Sequence, residues 1–114
     1  MEYRAYRRSF DRAREAILTG FPSQRDRLTV TSLAGGFYGL LWPLADDSGH
    51  VILARDMDGD GQWVAWCEEP DGERVTDDGY LIGHVRPRDY AVELAAGAAR
   101  CLSAQRPDLY STAH

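Results

Sequence analysis

The middle of this chain is cut at short intervals by turn-forming residues, and that limits what it can become. Asp46-Asp47-Ser48-Gly49, Asp56-Met57-Asp58-Gly59-Asp60-Gly61, Pro70-Asp71-Gly72 and Asp78-Gly79 each stand between runs of β-branched, aromatic and aliphatic residues. Pro presets φ, Gly accepts positive φ and Asp bonds to its own backbone, so the chain reverses at each of them. The runs in between are too short for stable helices and suit strands joined as hairpins. Residues 28–33, 37–42, 50–55, 62–68, 73–76 and 80–85 are the expected strands, with 73–76 very short. Side chains alternate along a strand, so Trp63, Ala65 and Cys67 point one way while Val64 and Trp66 point the other. Leu41 and Trp42 divide in the same manner, as do Ile52 and Leu53. A sheet that is apolar on both faces needs both faces covered.

A helix is expected on either side of this run. Over residues 2–19, Tyr3, Tyr6, Phe10, Ala13 and Ile17 recur at helical spacing and form one apolar stripe, with Arg4, Arg7, Arg8, Arg12 and Arg14 around it. Gly20 and Pro22 stop that helix. Pro87 suits the first turn of a second helix running to about residue 105. Its inner face is Ala91, Leu94, Ala95, Ala98, Cys101 and Leu102. Gly97 costs about 1 kcal/mol relative to Ala inside a helix, so close packing is expected there as compensation. Pro107 ends the helix, and a frayed tail is expected from about that residue onward.

The expected fold is therefore a single α+β domain over residues 1–114: an N-terminal helix, an antiparallel meander of four to five short strands, and a C-terminal helix. Both helices lie on one face in a two-layer sandwich; a split of one helix to each face is the alternative.

Charge is spread unevenly. The net charge is -5, yet residues 28–85 carry eleven acids against two Arg, while residues 1–27 carry seven Arg against four acids. The acidic balance and the absence of a reading motif make nucleic acid an unexpected partner, despite the Arg-bearing first helix. No stretch is apolar enough to span a bilayer, and no apolar segment follows the charged N-terminus, so membrane and secreted readings are set aside. Cys67 and Cys101 lack metal or redox spacing and are expected to be buried, reduced thiols of a cytoplasmic protein.

The sharpest motif is the aspartate loop. Asp56, Asp58, Asp60 and Gly61 match the first, third, fifth and sixth positions of a calcium loop of the EF-hand kind, where alternate carboxylates converge on a hard cation. The twelfth position, a bidentate Glu in such loops, is Cys67, and the flanks read as strands. A solvated hairpin turn is the expectation, with Asp56, Asp58 and Asp60 as candidate ligands for weakly held calcium; no other cofactor is expected. His50 and His84 fall in expected strands, and His84 is read as a half-buried structural residue. The chain contains no Gly-x-Ser-x-Gly elbow, no phosphate-cradling glycine loop and no dinucleotide fingerprint.

These observations point to a small, non-enzymatic protein–protein interaction or regulatory module of the adaptor or immunity type. Trp42, Trp63, Trp66, Arg4, Arg7 and Arg8 are the candidate contact residues. Self-association as a homodimer through the uncovered side of the sheet follows from the two-sided apolar pattern. The alternatives are a calcium- or metal-binding module using the aspartate loop, and a small enzyme or ligand carrier with a pocket between helices and sheet.

Overall fold

A computed structural model describes residues 3–56 and 60–109, with side chains from Tyr6 onward. Helix α1 spans Tyr3–Gly20. Five strands follow: β1 at Thr29–Ser32, β2 at Tyr38–Pro43, β3 at His50–Arg55, β4 at Trp63–Glu68 and β5 at Tyr80–Gly83. They form one antiparallel sheet in chain order, β1-β2-β3-β4-β5. Helix α2, Ala95–Gln105, closes the fold after a 3-10 turn at Pro87–Asp89 and a π-helical turn at Tyr90–Leu94. A last 3-10 turn occupies Pro107–Leu109.

The two-layer α+β arrangement expected from the sequence is the one found. The apolar stripe of α1 buries Tyr6, Phe10, Ala13 and Ile17, and α2 buries Ala98 and Cys101. All of these join one core with Leu40, Val51, Leu53, Trp63, Ala65 and Cys67 from the sheet. Ile52, Ala54 and Trp66 form a second, separate cluster with Leu33, Leu41 and Val64. No helical residue belongs to that second cluster, so both helices lie on one face.

Three local expectations are corrected. Residues 73–76 do not form a strand, because the turns on either side leave room for a single bridge pair, Glu68 with Arg74. The second helix does not begin as an α-helix at Pro87. The π-turn adds a residue to one turn, which brings Tyr90 into the core and leaves Ala91 half-buried. His84 is also not half-buried: β5 ends at Gly83, whose φ of 104° turns the chain away, and the imidazole is 66% exposed.

The expected close packing at Gly97 is present. A Cβ there would lie 2.6 Å from Ile82 Cδ1 and 2.7 Å from Ile82 Cγ1. Ile82 is the extra residue where β5 slips against β4, since Trp63 pairs with Gly83 and Val64 with Leu81. Gly97→Ala gains about 1 kcal/mol of helix propensity and loses about 1–3 kcal/mol to overpacking. A net loss of stability in urea unfolding is the expected outcome; a gain would show that α2 is free to move off the sheet.

Candidate functional site

The helix-free face of the sheet holds the most organised polar group. His50 opens β3 and stands directly opposite Glu68, the last residue of β4. Trp66 lies two residues earlier on the same side of β4 as Glu68. Its indole Nε1–H donates to Glu68 Oε2 at 2.6 Å, and His50 Nε2 lies 2.7 Å from Glu68 Oε1. Both acid and imidazole are largely screened from solvent, at 15% and 12% side-chain exposure. Over the outer face of the Trp66 ring lies Arg74, its Cζ 4.0 Å from the ring centroid. Among the described residues, no carboxylate pairs with that guanidinium.

Backbone geometry builds this cluster. Gly49 has φ of 149°, and a Cβ at that position would run into the Glu68 carbonyl oxygen. Glycine is thus what lets the start of β3 close on the end of β4. The bridge between Glu68 and Arg74 then folds the next segment back over Trp66. Leu33, from the other side, covers the floor: a Cβ on Gly39 would lie 3.1 Å from Leu33 Cδ1 and 3.2 Å from Ile52 Cγ2. These two covers leave Ile52 at 1%, Ala54 at 6% and Trp66 at 8% exposure without any help from a helix. From them a cleft of about 540 Å³ runs round the end of the sheet to Tyr6 of α1, bordered by Leu33, Tyr38, Arg55, Trp66 and Arg74. Leu81, beyond the cover on edge strand β5, remains 62% exposed.

With both oxygens occupied, Glu68 orients the imidazole and the indole. Among the described residues, no hydroxyl or thiol is hydrogen-bonded to His50.

The other residues singled out in the sequence are scattered. Trp63 is not a surface residue. It is fully buried against Phe10 at 5.3 Å and Tyr90 at 5.5 Å, and among the described residues its Nε1 has no hydrogen-bond partner. Trp42 lies on the helix side, donating Nε1–H to Gln24 Oε1 at 3.1 Å. Arg7 and Arg8 are exposed on α1; Arg7 lies 3.6 Å from Asp11 and 5.0 Å above the Tyr38 ring. The Arg4 side chain lies outside the described residues. So does Asp58. Asp56 N–H donates to Gln62 O at 2.8 Å and Gly61 N–H to Asp56 O at 2.9 Å, which closes the hairpin. Asp60 Oδ2 accepts from Gln62 at 2.8 Å and sits 3.2 Å from His84 Nε2. The Gln62 hydrogen bond holds the Asp60 carboxyl below the usual Asp range. Among the described residues, no three His, Cys, Asp or Glu side chains converge as a metal site.

The two cysteines, distant in sequence, meet between β4 and α2, both buried. The interaction between the two sulfurs lowers the Cys67 pKa and, together with burial, raises that of Cys101. Arg74, Glu68 and Leu33 were missed in the sequence. Each acts through a partner on another strand, and only the turn at Pro70-Asp71-Gly72 gave any sign that the chain doubles back there.

Comparison with protein-family models, curated proteins and solved structures finds no match to this chain. The geometry alone carries the functional argument.

Removing the shared acceptor is the direct test of the cluster. Glu68→Ala strands the Trp66 N–H and the His50 ring, and should cost about 1–3 kcal/mol in urea unfolding. Glu68→Gln, which keeps one carbonyl acceptor, should cost less. Equal stability of both variants and the parent would mean that water serves these groups as well as Glu68 does.

Proposed function

We propose that the protein is a non-enzymatic interaction module that works through the helix-free face of its sheet, and that its partner there is a second copy of the chain. The observation that carries this reading is the combination on that face of Trp66 with Arg74, with which no carboxylate pairs among the described residues, and of exposed Leu81 on the neighbouring edge strand. Trp and Arg are among the residues that dominate binding energy at protein interfaces, and the exposed Arg74 stands where a partner can meet it.

Three features favour a second copy. Edge strand β5, Tyr80-Leu81-Ile82-Gly83, contains no charge and no proline, the usual devices that keep sheet edges apart. Residues 69–79 carry five carboxylates on either side of Arg74 in the sequence, so a two-fold pair can supply acids to each guanidinium. The exposed Arg7 and Arg8 on α1 give the acidic turns a second complementary surface. The apolar area left open is smaller than the sequence suggested, since Leu33 and Arg74 already cover Ile52, Ala54 and Trp66. The contact is therefore centred on the cleft and β5, with the middle of the sheet contributing less.

Light scattering coupled to gel filtration tests this. At tens of micromolar, or about -6 to -7 kcal/mol of association, the parent should elute with a dimer mass. Leu81→Arg, which changes only an exposed side chain, should give a folded monomer, and Arg74→Glu should weaken the dimer. A monomer mass for the parent, or a dimer untouched by both substitutions, contradicts the reading.

A further inference from the structure

On the opposite side of the sheet, between α2 and the β2–β3 hairpin, lies a cavity of about 340 Å³ that the core does not fill. The sequence of α2 creates it. Ala95, Ala98 and Ala99 face Trp42 and Leu44 across the gap, and three methyl groups cannot reach them. Phe21, at the end of the α1 segment, stands at the mouth. Its ring meets Trp42 edge-on at 5.5 Å and 75°, yet remains 42% exposed. Two aromatic walls set edge-on, an alanine floor and an open mouth describe a receptacle for a flat apolar body.

The polar groups at the rim define the rest of the ligand. The charge of Arg27 is already balanced: its Nη2 donates to Leu44 O at 2.6 Å and to Asp47 Oδ1 at 2.8 Å. No unpaired charge of the lining is therefore available to a charged ligand. Gln24 differs: its Oε1 is taken by the Trp42 indole, while among the described residues its Nε2 makes only a long contact of 3.5 Å to Ser23 Oγ. That amide leaves one donor free at the edge of an otherwise apolar chamber.

We infer that this cavity binds a small, neutral, planar aromatic molecule with a hydrogen-bond acceptor, its ring between Trp42 and the Ala95–Ala99 face and its acceptor at Gln24 Nε2. The volume falls at the lower end of small-molecule sites, which suits two fused rings with a short substituent. The site is separate from the face proposed for self-association, so ligand and partner can be held together.

The test uses 6-propionyl-2-dimethylaminonaphthalene, a neutral naphthalene with a carbonyl acceptor whose emission shifts to the blue when desolvated. Titration into the full chain should saturate at one probe per chain with a micromolar dissociation constant. Ala99→Phe, at an exposed position of the lining, and Ala95→Leu each fill the chamber and should weaken binding about tenfold or more, with melting temperatures preserved. Gln24→Leu should weaken it by a smaller factor, while Leu81→Arg on the other face should leave it unchanged. The anionic 1-anilinonaphthalene-8-sulfonate should bind less tightly than the neutral probe. Lack of saturation, or affinity indifferent to both filling substitutions, overturns the site. Tighter binding of the anionic probe, abolished by the same substitutions, overturns the assignment of a neutral ligand.

Discussion

Trp63 has to be covered by both helical segments at once: its indole is wholly buried and meets Phe10 of α1 on one side and Tyr90 of the π-turn on the other. Arg55 adds its guanidinium 5.7 Å from the same ring. An aromatic side chain of that size contributes a large share of the apolar area buried in a small domain. Burying it from one direction draws α1 and the segment leading into α2 to the same face of the sheet. Its Nε1 is the cost, a buried donor without an acceptor among the described residues. Once both helices are committed there, nothing helical remains for the other face.

The rest of the architecture answers that constraint. Strand β4 is apolar in both directions, so Trp66 needs cover from elsewhere, and the connections supply it. Leu33 comes from the residues after β1 and Arg74 from the residues after β4. Arginine suits this position because its planar guanidinium lies flat on the indole while its outer edge stays in water. The face is closed enough for a folded chain in water, but its cover is a loop and a charged group, each of which a partner surface can engage. The reading as an interaction module rests on this asymmetry between a helix-sealed face and a loop-sealed one.

The sequence was most informative where structure is local. The 3-4 spacing of Tyr6, Phe10, Ala13 and Ile17 defines the buried stripe of α1, and the turn residues delimit β3 and β4 closely. Alternation along β4 correctly separates Trp63 from Trp66. It could not say which of the two would be internal, because that depends on where the helices land. The π-turn was illegible for a related reason: Tyr90 enters the core by a backbone expansion that no apolar period announces. The meeting of Cys67 with Cys101, and that of Trp66 with Arg74, are long-range consequences of register. So is the cavity beside Trp42, since small alanines on a helix face are read equally well as close packing or as a gap. At Gly97 the packing is close; at Ala95 and Ala99 there is a gap.

If Trp63 couples the layers as described, the sheet and the helices cannot open separately. Native-state hydrogen exchange measures this directly. Amides of Leu53 in β3, Ala65 in β4, Ile17 in α1 and Cys101 in α2 should all exchange through one opening, with a free energy equal to that of global unfolding. Exchange of the α1 or α2 amides at a clearly lower free energy than those of β3 and β4 would show helices that detach from an intact sheet, and would contradict the account.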